Sequence, residues 1–240
     1  NGQWLVAEAD ESDASFLHLQ PHIAVVTNID ADHMDAYRGD FEQLTETFLR
    51  FLHNLPFYGL AVLCADDPAI QELRPRIRRP VVSYGIEPGA HYRAVNIRQT
   101  GTRMHFDVTL ADTQCITVDL ALPGLHNVAN ALAAIAVADK VGIDAQAIRN
   151  GLSGFAGIGR RFEILGELAL DSGCALLVDD YAHHPREIAA TLAAAQGCWP
   201  ERRLVVVFQP HRFSRTQELL DDFSVLLSTV ECLVITEVYA

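Results

Sequence analysis

Short aliphatic runs alternate with stretches of helical period along most of the 240-residue chain. Residues 3–10 (QWLVAEAD), 22–30 (HIAVVTNID), 59–67 (GLAVLCADD) and 81–85 (VVSYG) each read as a buried strand, because a near-continuous apolar run closes on polar or turn residues. Between the second and third runs, Phe41, Leu44, Phe48, Leu52 and Leu55 recur at helical spacing, with Asp40 placed to cap the helix. Residues 66–74 (DDPAIQELR) predict a shorter helix with Pro68 in its first turn. Strand–helix–strand alternation predicts a parallel sheet covered by helices.

From Tyr92 to Pro123 the period changes to two, as in 103–110 (RMHFDVTL) and 115–122 (CITVDLAL), which predicts a small antiparallel set. Two helices follow, over 124–142 and 144–152, the first rich in alanine. Gly151, Gly154, Gly157 and Gly159 then fall within nine residues, the composition of a hinge or domain boundary. Beyond it, 162–168, 174–182, 203–211 and 232–238 read as strands, with helices over 186–197 and 214–228. The fold class expected is therefore α/β: a parallel-sheet domain with a small antiparallel portion, then a second, Rossmann-like α/β domain, with the boundary at 156/157.

Half of the residues are apolar and 20% are charged, which excludes a disordered or low-complexity chain. The net charge of −13 argues against a sequence-independent nucleic-acid surface. Any anionic ligand must then be met by local basic groups or by a metal ion. No apolar run reaches the ~18 residues of a membrane span. Five dispersed cysteines without a C-x-x-C pair read as reduced, cytoplasmic thiols. Lys140 is the only lysine and no G-x-x-x-x-G-K-[ST] occurs, so the chain carries no phosphate-loop lysine. It opens without Met on one strand-like run and stops in another, as an interior piece of a longer protein would. Such a piece is expected to be catalytically inert alone.

Ligands of open α/β sheets collect beyond the carboxyl ends of strands, and polar clusters stand there repeatedly. The first run ends in Glu8, Asp10, Glu11 and Asp13, whose mutual repulsion is relieved either by solvent or by a cation. The second ends in Asp30, Asp32, His33 and Asp35. Asn127 and Asn130 share a face at the start of the alanine-rich helix; capping accounts for one of them. Arg160-Arg161 closes the glycine-rich segment, where a guanidinium could reach a phosphate or carboxylate only when the domains close. Asp179-Asp180-Tyr181-Ala182-His183-His184 follows one late strand, and His211-Arg212-Phe213-Ser214-Arg215 the next. Paired histidines suit holding an amine or relaying a proton, and arginines three apart suit clamping a small carboxylate.

Seven strings in this order, VAEADESDASF, VTNIDADHMD, FLHNLPFYG, GLHNVANALAA, GRRFE, DDYAHHP and FQPHRFSRT, resemble the ATP-dependent Mur ligase family across essentially the whole chain. Within the family they resemble the branch that joins L-alanine to the carboxylate of UDP-N-acetylmuramate. The branch that adds a preformed tripeptide to the same nucleotide differs in the FQPHRFSRT region. The resemblance implies a central ATP-binding domain over 1–156 and an amino-acid-binding domain over 157–240, each incomplete at its outer end. It implies ATP and Mg²⁺ as cofactors, with Glu8 on one Mg²⁺ and His33 on a second. Asn127 and Asn130 would contact ATP or the muramate substrate, Arg161 the ATP phosphates, and Asp180 the nucleotide. His183, Arg212 and Arg215 would orient L-alanine, with Tyr181, His184 and His211 in the same pocket. A cytoplasmic enzyme with no nucleic-acid polymer and no membrane as partner is implied, with self-association possible in principle. Two other classes fit parts of the pattern: a metal-dependent hydrolase using Glu8, Asp32 and His33, and a non-catalytic nucleotide-binding module.

Overall fold

A computed structural model of the chain describes residues 2–110, 114–171 and 173–239. Its main sheet has six strands in sequence order: β1 Ile23–Val26, β2 Leu60–Cys64, β3 Val81–Gly85, β4 Tyr92–Thr100, β5 Arg103–Leu110 and β6 Gln114–Leu120. β1, β2 and β3 run parallel, with Ile23 opposite Leu60 and Ala61 opposite Val81. β3 pairs parallel with β4 through Tyr84 and Tyr92. Only two residues separate β4 from β5, and neighbouring strands so joined must reverse direction. The antiparallel set read from the sequence is thus a continuation of the parallel sheet.

Contacts divide the chain into two compact units. One comprises 1–94, 108–115 and 132–144, the other 95–107, 116–131 and 145–240. In the first unit Ala61, Val62 and Leu63 of β2 are buried in succession, as a parallel strand covered on both faces requires. Helix α1 (Phe41–His53) begins at Asp40, whose carboxylate accepts the N–H groups of Glu42 and Gln43. The Arg79 guanidinium closes its other end on the carbonyls of His53 and Leu55. Helix α2 (Pro68–Leu73) is capped by Asp67, with Pro68 at the first position.

Helices α3 (Leu125–Lys140) and α4 (Ala145–Ser153) lie where the sequence pattern placed them. In the second unit β7 (Glu163–Leu170) and β8 (Gly173–Asp179) form an antiparallel hairpin of their own. β9 (Val205–Phe208) and β10 (Cys232–Ile235) form a separate parallel pair. Helix α5 (Pro185–Cys198) leads from β8 towards β9. Ile188 of α5 and Phe208 of β9 pack with Phe223 and Leu227 in one core cluster.

Two readings are corrected. Residues 3–10 form no strand: Leu5 and Val6 are 92% and 93% exposed. An aliphatic run becomes a strand only where a neighbour takes its ladder bonds, and among the described residues none pairs with it. The helix expected over 214–228 is two, α6 (Phe213–Glu218) and α7 (Leu220–Leu227), because Leu219 leaves the helical region at φ −107°, ψ 20°. The apolar period of 3.6 persists across that break, so periodicity could not reveal it.

Candidate functional site

The polar strand ends of the second unit are built around carboxylates that gather backbone N–H groups. Asp180 follows β8 directly, and its two oxygens accept the N–H groups of Phe162 and Ala182, each at 2.8 Å. The Tyr181 N–H donates to the Arg160 carbonyl at 2.8 Å. The turn 160–162 is thereby sewn to 180–182. Both Arg160 and Phe162 sit at positive φ, 58° and 51°, a conformation that side chains disfavour and that these bonds hold in place.

The two hinge arginines diverge. Arg160 pairs with Asp179 at 3.3 Å and lies over the Tyr181 ring, 4.6 Å from its centroid. Arg161 pairs with Glu187 of α5 at 3.3 Å. Glu187 also accepts the N–H groups of His183 and His184, while the His184 ring accepts from the Arg186 N–H. This is a capping box with histidine as the cap. Burial pushes the Glu187 carboxyl up, but the His183 N–H and charge, the His184 N–H and Arg161 outweigh it and leave it below the usual carboxylate range.

Beyond β8 and β9 the side chains converge although the two strands belong to different sheets. The Tyr181 ring meets His183 edge-on at 5.1 Å and His211 at 5.4 Å, and the two imidazoles lie 6.3 Å apart. His211 also lies 5.2 Å from the Tyr239 ring. The His183 Nδ1 stands 2.8 Å from the Tyr181 carbonyl oxygen. A carbonyl only accepts, so Nδ1 carries the hydrogen, and in the neutral form of the ring the lone pair lies at Nε2. Arg212 and Arg215 do not form a matched pair: Arg212 is exposed at φ 64°, whereas Arg215 is only 6% exposed. Backbone bonds fix the turn between them and β10, from Arg212 N–H to the Tyr239 carbonyl and from Tyr239 N–H to Pro210.

Asn127 spends its amide N–H on the Pro123 carbonyl at 2.8 Å, whereas Asn130 is exposed. His126, between them and Gly124, faces Asp180 and Arg161 electrostatically. A cleft of about 380 Å³ opens between the 121–123 and 156–164 segments, with Arg161 and Glu163 among its walls. In the first unit, Glu8 is exposed on the irregular opening segment. His33 sits at φ 55°, its N–H on the Asp32 carboxylate at 2.8 Å. Among the described residues no three His, Cys, Asp or Glu groups are arranged to hold a metal ion. No described helix is long and apolar enough to cross a membrane.

Residues 4–138, more than half of the chain, match the Mur ligase middle domain. The chain belongs to the Mur ligase family. Residues 160–239 match a second domain of that family, described as the Mur ligase, glutamate ligase domain. Among solved structures, the UDP-N-acetylmuramate-alanine ligase MurC of Thermotoga maritima is 29% identical, with a TM-score of 0.78 over 96% of this chain and 49% of its own. MurF of Acinetobacter baumannii (22% identity, TM-score 0.73, 93% of this chain and 48% of its own) shares the fold. So does the murein peptide ligase of Psychrobacter arcticus (24%, 0.61, 92% and 51%). The chain spans about half the length of these solved ligases.

His126, Glu187 and Tyr239 escaped the sequence reading of this Mur ligase chain. For Glu187 a signal existed: His184-x-x-Glu187 has the cap-to-third-position spacing, with histidine in place of serine or threonine. Nothing local marks His126 or Tyr239, since their partners lie far along the chain.

Burial, with Arg161 adding to it and Asp180 opposing, holds the His126 pKa below its ordinary 6.5. Burial and the charges of His183, Arg160 and Arg215 do the same to His211. Both imidazoles bind protons more weakly folded than unfolded, so their contribution is full above about pH 6.5 and is lost as pH falls below it. The melting temperature of the chain is expected to fall between pH 7 and 5.5. His126→Gln should flatten that slope, as read by thermal unfolding across the range; an unchanged slope would remove His126 from the titrating set.

Proposed function

We propose that this chain supplies the middle and C-terminal domains of an ATP-dependent ligase that joins L-alanine to the carboxylate of UDP-N-acetylmuramate, in the cytoplasm. What carries the reading is the joining of the loops after β8 and β9 into one cluster, Tyr181, His183 and His211, with Arg215 close enough to oppose protonation of His211. A small zwitterion needs a cation for its carboxylate and a lone pair for its ammonium, and this corner offers both.

The reaction we assign has two steps. A carboxylate oxygen of the muramate attacks the γ-phosphorus of ATP, the bond to the bridging oxygen breaks, and ADP leaves an acyl phosphate behind. The amine of L-alanine then attacks the acyl carbon, the C–O bond to phosphate breaks, and the amide forms as phosphate departs. Arg161 and the Asn127–Asn130 face address the nucleotide, and Asp180 acts on it through the 160–162 turn it braces. Arg212 and Arg215 hold the alanine carboxylate. His183 Nε2 accepts a hydrogen from the ammonium group as it is made nucleophilic.

Glu8 and His33 fit Mg²⁺ unequally. A single open carboxylate suits an ion that keeps waters and takes substrate phosphates, whereas an imidazole does not suit it unaided. The Asp32 carboxylate beside His33 supplies an oxygen there. When bound, the ions neutralise phosphate charge. An amino-acid panel assay on the complete gene product, reading ADP release with UDP-N-acetylmuramate, tests the proposal. L-alanine should stand well above the other amino acids. Release with a tripeptide alone assigns the sister activity, and phosphate release from a simple ester without any amino acid favours a hydrolase.

A further inference from the structure

Gly197 lies in the last turn of α5, outside the left-handed region, so its backbone does not require glycine. Glycine at such a position weakens a helix relative to alanine. A Cβ built there would stand 2.7 Å from Oε1 and 2.8 Å from Nε2 of Gln99 on β4. The missing side chain is a slot, and the Gln99 carboxamide fills it. The end of a glutamine could normally swing aside, but this one is tied. Nε2 donates to the Ala194 carbonyl at 3.1 Å, and lies 3.3 Å from both the Cys198 Sγ and the Gly101 carbonyl.

The same face of α5 is approached from two further directions. At Gly124, where φ is +93°, a Cβ would meet Ala194 at 3.0 Å and the His126 ring at 2.7 Å. Ala194 and Cys198 are buried with Phe162, whose ring stacks on Trp199 at 5.9 Å and 11°. Gln99 and Gly124 belong to the stretch that matches the middle domain, whereas α5 belongs to the stretch that matches the glutamate ligase domain. The compact second unit accordingly groups 95–107 and 116–131 with 145–240, across that family boundary. At the opposite end of α5 stand His183, His184 and Glu187.

We propose that Gln99 is a positioning residue: seated in the slot at Gly197, it latches the C-terminal turn of α5 to β4 and thereby fixes the His183–Glu187 corner at the other end of the same rigid helix. The consequence for the amino-acid pocket rests on the ligase reading above; the latch does not.

The decisive variant is Gly197→Ala, because two effects oppose each other in sign. Helix propensity alone would slow hydrogen exchange at the last amides of α5, whereas displacement of the Gln99 carboxamide from its bonds should speed it, by about tenfold. Gln99→Ala should speed it similarly. In the double variant the added methyl group meets no carboxamide, so exchange should be no faster than in Gln99→Ala alone. Slower exchange in Gly197→Ala, or additive effects in the double variant, overturns the latch. In the complete gene product Gly197→Ala should raise the KM for the amino acid severalfold and leave that for ATP unchanged. Faster exchange with both KM values unmoved overturns the positioning role. Absence of ligase activity in the parent protein, with the exchange pattern as expected, upholds the latch and removes the ligase reading instead.

Discussion

Alanine in place of Arg212 is expected to raise the KM for L-alanine ten- to hundredfold in the complete gene product while moving that for ATP less than about twofold. A hydrogen bond to a charged group contributes about 1.5–3 kcal/mol, and each ~1.4 kcal/mol is a factor of ten. Arg212 is exposed, and its backbone is fixed independently of its side chain. Its N–H donates to the Tyr239 carbonyl, and its own carbonyl accepts the N–H and hydroxyl of Thr216. Alanine would inherit the same φ of 64° and the same backbone bonds, so the variant isolates the guanidinium. Arg212→Lys, which keeps the charge and loses the planar fork, should recover only part of the loss. Initial-rate measurements with each substrate varied in turn decide it. Equal shifts in both KM values would dissolve the carboxylate assignment.

The second large effect concerns stability. Asp180→Ala removes the acceptor of two backbone N–H groups, those of Phe162 and Ala182. Each lost charge-assisted bond leaves a donor short of a partner, and together they should remove about 2–4 kcal/mol. For a chain of this size that lowers the melting temperature by roughly 5–15 °C. The turn at 160–162 should loosen with it, since Phe162 holds its unfavourable φ with its N–H on that carboxylate. Tryptic cleavage after Arg160 and Arg161 gives a local readout beside the thermal one. A variant that melts like the parent and resists trypsin equally would show that Asp180 is not the brace.

Asp180 illustrates how a local reading goes part of the way. Its place directly after an aliphatic run marked it as a strand-end carboxylate. The two N–H groups it gathers belong to residue 162, eighteen positions earlier, and to residue 182. Arg160 and Arg161 were adjacent and interchangeable as sequence. Their backbone conformations turn one towards Asp179 and Tyr181 and the other towards Glu187.

Much was legible because it depends on short-range physics. The hydrophobic period identified α1, α3, α4 and α5, and the cap at Asp40 and the first-turn Pro68 follow from which backbone groups a helix leaves unpaired. The aliphatic runs gave β1, β2 and β3, and strand ends gave the polar clusters. What only the tertiary structure decided were pairings between distant residues. The run at 3–10 lacks a ladder partner, β7 and β8 form a hairpin apart from β9, and Tyr181 and His211 meet across two sheets. Gln99 finds its slot ninety-eight positions away, in a glycine that local rules would count as a defect of the helix. Periodicity and capping are fixed by bonds within a few residues. Which strand, ring or carboxamide closes on which depends on the chain's long-range packing, and that leaves no periodic trace in sequence.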